Sequence, residues 1–134
     1  MKKKKSFKLE KRRIKHLLLC SSSFNENNLN DLSDELQIYS ITYNPLYVKH
    51  IENPSEAVQL VAINIDVWSL NHIENPTEKT QLLAMKHGLH VVSWIKNSTE
   101  KVQLNVIKQD HLYFKYIHNP CTKAKLLYKL ITAV

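Results

Sequence analysis

Hydrophobic and polar residues recur along this chain with a period of 22 positions. The segment IENPSEAVQL at residues 51–60 returns as IENPTEKTQL at 73–82, as IKNSTEKVQL at 95–104 and, more weakly, as IHNPCTKAKL at 117–126. One step back, LNDLSDELQI at 29–38 keeps the apolar positions and Gln37. Self-similarity at a fixed period of this length is typical of stacked helical repeats. It is therefore stronger evidence for the architecture than any local motif.

The period divides the chain into about five blocks, which begin at residues 29, 51, 73, 95 and 117, the last one truncated. Positions within a block are counted here from 1 to 22. A further step back reaches Phe7, but only Phe7 and Ile14 fall on apolar positions, which indicates at most a divergent cap. We therefore expect two regions: a basic N-terminal arm or cap with its linker at residues 1–28, and a helical repeat domain at residues 29–134.

Each block contains a signal for the start of a helix. In NPSE at 53–56, Asn53 is expected to cap exposed backbone N–H groups and Pro54 to occupy the first helical position. Glu56 follows three residues after the expected cap and would face the positive helix end. NPTE at 75–78 repeats this pattern, and Asn97 repeats it without the proline.

The rest of the block predicts a helix of about ten residues and then a shorter one. A column of small or medium residues in the longer helix predicts close contact between neighbouring helices; it comprises Ser40, Ala62, Ala84 and Val106. Apolar residues two to five apart mark the shorter helix, which is too short to be stable without stacking. A strand at LHVVSW, residues 89–94, is the alternative.

These patterns predict an all-α protein: a short right-handed α-solenoid of about five 22-residue two-helix repeats, with an N-terminal basic helix or arm. One glutamine column runs through the blocks as Gln37, Gln59, Gln81 and Gln103. It is either a polar ladder on a binding face or a set of hydrogen bonds to backbone groups between repeats. We favour the second interpretation, because an identical residue in every unit suits stacking better than recognition of an irregular partner.

Composition narrows the class of protein. A chain of 134 residues with 43% hydrophobic and 23% charged residues is long enough for one globular domain. Two cysteines, Cys20 and Cys121, are too few for a disulfide framework; they suggest a reducing compartment, or thiols used as small apolar groups. The apolar run at 17–20 is shorter than the apolar segment of a secretory signal peptide, which has roughly 7–15 residues. No run approaches the roughly 18 residues of a membrane span, so we expect a cytoplasmic protein, in a bacterial or host cell.

The net charge of +7 is concentrated at the N-terminus. Residues 1–15 carry nine of the 19 basic residues and one of the 12 acidic residues, so residues 16–134 have ten basic and eleven acidic residues, a balance of −1. The arm is a candidate for binding nucleic acid or an acidic surface; its basic residues are Lys2, Lys3, Lys4, Lys5, Lys8, Lys11, Arg12, Arg13 and Lys15. A solubilising tail, or the exposed face of an N-terminal helix, is the alternative.

The NPSE-x-VQL-x-AI phrase resembles short tandem helical repeats of phage, bacterial and large-virus proteins. The two-helix unit is also similar to the leucine-rich repeat variant and to HEAT-like repeats. The resemblance covers residues 29–134. It implies an α-solenoid that binds other macromolecules and has no shared catalytic residues. It further implies a small phage- or mobile-element-type protein that binds and blocks a host protein, including a defence or CRISPR nuclease.

Catalytic and metal chemistry has little support in the sequence. His50 and His72 share a column, but equivalent residues of adjacent units lie roughly 10 Å apart, too far for one ion. Gly88, the single glycine, excludes a glycine-rich phosphate loop. We expect no enzyme activity, no metal and no cofactor.

The column that begins with His50 and His72 continues as Trp94 and Tyr116, and such variation is what a partner-shaped surface needs. The predicted partner-binding residues are His72, Trp94, Tyr116, Trp68, His90 and Tyr113. For any one of them, a place in the ordinary core is the alternative. The first functional hypothesis is therefore a protein-binding module without a membrane or metal partner. The second is a nucleic-acid binder that acts through the basic arm.

Overall fold

The computed structural model describes residues 2–19 and 29–133, and within the first range the side chains of residues 6–15. Every regular element in these residues is helical, as the sequence predicts, and none is a strand. The α-helices are α1 (Lys2–Leu19), α2 (Asp34–Tyr43), α3 (Glu56–Ile65), α4 (Glu78–Met85), α5 (Glu100–Gln109) and α6 (Thr122–Thr132). The 3-10 helices are η1 (Pro45–His50), η2 (Val67–His72), η3 (Leu89–Trp94) and η4 (His111–Tyr116).

The shorter element of each of the first four blocks is a six-residue 3-10 helix, and the alternative of a strand at residues 89–94 is wrong. Polar residues at position 16 start three of these helices. The side chains of Asn44, Asp66 and Asp110 each accept a hydrogen bond from the backbone N–H two residues later. Such a bond satisfies a donor that the helix leaves open and favours a tight turn directly after the preceding α-helix.

The predicted asparagine caps of the α-helices are wrong. The cap lies two residues later: the Ser55 hydroxyl accepts from the Val58 N–H at 3.4 Å, and Thr77 and Thr99 do the same in the next blocks. Pro54 therefore precedes the cap, and Glu56 is the first helical residue. Asn53 instead adopts a left-handed backbone conformation with φ of 48°, which asparagine tolerates better than most residues.

The last block replaces the hydroxyl cap with a thiol. The Cys121 Sγ accepts from the Ala124 N–H at 3.4 Å and so starts α6 in the same manner. Sulfur is a weaker acceptor than a hydroxyl oxygen. We therefore expect α6 to have a weaker start than the α-helices of the preceding blocks.

Replacing Cys121 with serine is expected to raise the free energy of unfolding by about 0.5–1 kcal/mol, because an oxygen cap satisfies the Ala124 N–H better. Chemical denaturation followed by circular dichroism measures the change. Cys121→Ala serves as the control, since it removes the acceptor altogether and should lower stability. Equal stabilities for the serine and alanine variants would show that the capping bond contributes nothing.

The core runs through all five blocks along the same columns. Position 1 is buried in every block, as Leu29, Ile51, Ile73, Ile95 and Ile117. The column of small or medium residues that is predicted to lie in close helix contact is also buried. Its members Ser40, Ala62, Ala84 and Val106 have no exposed surface. Each α-helix from α2 onward contacts the next, and η1 also contacts η2. Consecutive blocks therefore share one continuous core.

The glutamine column connects these blocks through their backbones. Gln59 donates through Nε2 to the carbonyls of Pro54 at 2.9 Å and Asn75 at 3.3 Å, and its Oε1 accepts from the Thr77 N–H at 2.9 Å. Gln81 makes the same three bonds one block later. Gln103 binds its own block and the Cys121 N–H of the next. The favoured interpretation is confirmed for these three side chains, which are buried and bond backbone groups of the next block, whereas the buried Gln37 donates to the Leu29 carbonyl of its own block.

Ion pairs connect the same blocks on the surface. Lys79 Nζ lies 2.8 Å from Glu56 Oε1, and Lys123 lies 2.7 Å from Glu100 in the same relation. The hydrogen bond from Lys79 holds the pKa of the Glu56 carboxyl below its ordinary value and raises the pKa of Lys79. These groups are exposed, so solvent screens the attraction and the pairs add little stability. The two pairs join the same positions of consecutive blocks, so they show that neighbouring α-helices pack in the same register.

The basic arm forms helix α1, which contacts α2. Phe7, Lys11 and Ile14 lie one helical turn or two apart and share a face, and Ile14 is buried. The Lys11 ammonium lies over the rings of Phe7 and Tyr39, at 4.5 and 4.9 Å from their centroids. These contacts dock α1 against the first block. The part of residues 1–28 that follows α1, where the linker is predicted, lies outside the described residues.

Candidate partner-binding surface

A stacked pair of tryptophans connects η2 and η3, and one of the two rings is exposed. The rings of Trp68 and Trp94 stack with centroids 4.6 Å apart and an interplanar angle of 23°. Trp68 is 61% exposed, while Trp94 is half-buried and packs against the core. The Asp66 carboxylate fixes the start of η2 by accepting from the Trp68 N–H, so a local cap places this ring at the surface.

His90 extends the tryptophan pair along η3. Its ring meets Trp94 edge to face, with centroids 5.5 Å apart and an angle of 78°. Gly88 makes this position possible, because it adopts φ of +133° and a Cβ there would come within 2.7 Å of the His90 ring. Glycine tolerates this conformation, whereas other residues are strained in it. Gly88 replaces the polar cap of the other blocks and directs the chain into η3.

A groove continues from His90 to η4. Tyr113 and Tyr116 lie on η4 with ring centroids 5.7 Å apart, and Tyr116 is exposed. The groove has a volume of about 480 Å³ and its lining includes His90, Tyr113, Tyr116 and Leu112. Leu112 is 65% exposed. We call Trp68, His90, Trp94, Leu112, Tyr113 and Tyr116 the aromatic surface.

The structure thus brings together five of the six residues predicted to bind a partner, and His72 lies elsewhere. His72 is exposed on a polar groove of about 590 Å³, together with His50, Glu52 and Glu74. The lining of that groove is mainly polar, so it offers chiefly hydrogen bonds and charge. The chemistry of the two grooves therefore differs, and His72 does not belong to the aromatic surface.

Sequence reasoning missed the exposed leucines of this region. Leu112 and Leu46 occupy position 18 of their blocks, as do Trp68 and His90, and all four are exposed. The sequence carries a signal for three of these positions, because Leu46, Trp68 and Leu112 each follow a polar residue at position 16 by two. A residue so close to the start of a 3-10 helix points away from the core that position 20 enters with Val48, Leu70 and Val92. 

The basic residues of α1 divide into two groups. Lys8, Arg12, Arg13 and Lys15 are exposed, whereas Lys11 is partly covered by the two rings beneath it. Lys11 therefore helps to dock α1. The side chains of Lys2, Lys3, Lys4 and Lys5 lie outside the described residues.

The aromatic surface offers flat apolar faces, two imidazole nitrogens from His90 and two phenolic hydroxyls. Such groups bind apolar, aromatic or cationic side chains of a partner and form hydrogen bonds at the edge. In residues 2–19 and 29–133, no three His, Cys, Asp or Glu side chains are grouped so that they could hold a metal ion. None of the described helices is long and apolar enough to cross a membrane.

Comparison of the chain with protein-family models, with curated proteins and with solved structures gave no match.

Proposed function

We propose that this protein is a non-enzymatic binding module that recognises another protein through the aromatic surface. The observation that carries the proposal is the stacked Trp68–Trp94 pair, because Trp68 leaves more than half of its surface in water. Tryptophan and tyrosine are the residues that most often dominate binding energy at protein interfaces. A ring that is already held by its neighbour loses little side-chain entropy on binding, which favours affinity.

We also propose that the five blocks form a right-handed α-solenoid. The glutamine hydrogen bonds and the Glu–Lys pairs support this, since both recur between consecutive blocks at the same positions. A solenoid presents equivalent positions side by side along one face, so the position 18 residues Leu46, Trp68, His90 and Leu112 would form a strip beside Trp94 and Tyr116. Such a strip suits a partner that lies across several blocks.

The resemblance to phage-type repeats favours a host protein in the cytoplasm as the partner. This small module would block that protein by covering one of its functional surfaces. A defence nuclease, including a CRISPR nuclease, is the target class that this resemblance favours. The proposal requires no metal, cofactor or membrane, since the aromatic surface offers apolar contact and hydrogen bonds alone.

Nucleic-acid binding through α1 is the second candidate. The exposed side chains of Lys8, Arg12, Arg13 and Lys15 favour it, because several cations on one helix attract a phosphate backbone. Binding of this kind weakens steeply as salt increases, whereas apolar contact through the aromatic surface does not. Salt dependence therefore separates the two candidates.

Changing Trp68 and Trp94 to alanine is expected to weaken binding of the host protein by about 30-fold or more, mostly through a faster off-rate. Changing Lys2 to Lys5, Arg12 and Arg13 to neutral residues should lower the on-rate and flatten its salt dependence, with little effect on the off-rate. The partner is first isolated on the immobilised protein from the native host and identified by mass spectrometry. Surface plasmon resonance at two salt concentrations then measures both rates.

Ile65→Ala is the matched control for the tryptophans, because Ile65 is an exposed apolar residue at the end of α3. It should leave both rates unchanged, and circular dichroism should show that every variant is folded. If the arm variant abolishes binding while the tryptophan variant does not alter it, the aromatic surface is not the site and nucleic-acid binding replaces the first candidate.

A further inference from the structure

Helix α6 exposes an apolar row beside a basic row. Leu126 is 55% exposed and Leu130 is 71% exposed, and their spacing of four residues places them on one face. Lys125 and Lys129 have the same spacing one position earlier, and both are exposed. On its other side α6 is fixed to the preceding block, since Tyr128 stacks on Phe114 with centroids 4.2 Å apart. The two rows therefore lie on a helix that is held in place.

This face has lost the groups through which earlier blocks join. Lys125 occupies the position of the buried glutamines, and it has no oxygen to accept the backbone N–H of a following block. Lys129 occupies the position of Ile63 and Ile107, which are buried. Thr122 replaces the glutamate that pairs with the lysine of the next block. Another block of the same kind would therefore fit poorly against α6.

The positive charge around α6 also limits which kind of partner can dock on this helix. Residues 111–134 contain four lysines and no acidic residue. One of these lysines, Lys123, is paired with Glu100 of the preceding block. A second copy of this chain that met α6 with its own α6 would bring lysines against lysines. It would do so equally with its basic helix α1, and like charges at an interface are costly.

We infer that α6 is a second docking surface, which binds an acidic amphipathic helix of a partner protein. The apolar side of that helix covers Leu126 and Leu130, and its carboxylates pair with Lys125 and Lys129. This is the helix-on-helix mode of recognition, with apolar anchors spaced by three or four residues and charges beside them. It shares no residue with the aromatic surface, so it can be tested separately.

The probe is a pair of fluorescent synthetic helices of about 18 residues, long enough to be helical in water. Both carry leucines four residues apart; one has glutamates on the flanks and the other has lysines at the same positions. Fluorescence anisotropy with the full chain should show tighter binding of the acidic peptide, by about tenfold. The variant Lys125→Glu/Lys129→Glu should reverse this preference, and Leu126→Ser/Leu130→Ser should weaken binding of both peptides.

Lys8→Glu/Arg12→Glu is the matched control, because it makes the same change in charge on α1 and should leave the acidic peptide preferred. The substituted side chains are exposed, and circular dichroism confirms that the variants are folded. Three results would overturn the inference. The first is an unchanged preference in the α6 charge variant. The second is dimerisation of the wild type, seen by analytical ultracentrifugation, that Leu130→Ser abolishes. The third is binding to phosphatidylserine vesicles without any binding to the acidic peptide.

Discussion

Gln81→Leu is expected to lower the free energy of unfolding by about 3 kcal/mol, because three backbone groups lose their partner at once. Its Nε2 donates to the carbonyls of Pro76 at 2.9 Å and Asn97 at 3.3 Å, and its Oε1 accepts from the Thr99 N–H at 3.0 Å. The side chain is 2% exposed, so water does not replace these bonds without opening the block. Leucine has a similar size but offers neither a donor nor an acceptor. Urea denaturation followed by circular dichroism measures the loss.

Gln109→Leu is the matched control for this change. Gln109 lies at the exposed end of α5 and bonds only the Asn105 side chain among the described residues. Its replacement should change stability by no more than about 0.5 kcal/mol. If Gln81→Leu were as mild as the control, the hydrogen bonds between blocks would contribute little and apolar packing alone would hold the blocks together.

Ala84→Leu is expected to destabilise the protein by roughly 1–3 kcal/mol, because it adds three carbon atoms where no space is available. Ala84 has no exposed surface, and neither has Ala62 at the same position of the previous block. Helix α4 contacts α3 on one side and α5 on the other, so a larger side chain must push a helix away. Thermal and urea melting of the variant measure the cost.

Ala57→Leu provides the comparison, since Ala57 lies on the exposed side of α3. Leucine is nearly as good a helix former as alanine, so this variant should remain within about 0.5 kcal/mol of the wild type. A neutral or stabilising Ala84→Leu would show that the block has room at position 12, and the assignment of the close helix contact would be wrong.

Much of the fold is predictable from the sequence because one pattern is repeated. A single block leaves the role of a buried glutamine open, whereas four blocks show that it belongs to the common framework. The sequence predicts the start of the α-helix two residues too early, since Asn53 and Ser55 are both good caps by residue type. The choice depends on the backbone angles of the turn, and Asn53 has a φ of 48° that no composition reveals. The 3-10 helices were also beyond prediction, because periods of 3.0 and 3.6 residues do not separate over six residues.

The aromatic surface was only partly predictable for a related reason. Comparison of equivalent positions groups His72 with Trp94, yet the ring that Trp94 contacts is Trp68, from another position of the preceding block. Phe114 and Tyr128 also stack although they occupy different positions of consecutive blocks. Contacts of this kind depend on how far one block is shifted against the next, and that shift is set by packing in three dimensions. A column of residues carries no information on it.

The glutamine column also bears on how freely this sequence can change. Its bonds to the next block reach only main-chain N–H and C=O groups, such as those of Thr77 and Asn75. Every amino acid supplies a carbonyl there, and every one except proline supplies an N–H. Substitutions on the outward-facing positions of the next block therefore leave the joint intact. Exposed residues can therefore change one block at a time, or whole blocks can be exchanged, while the glutamine hydrogen bonds between blocks are kept.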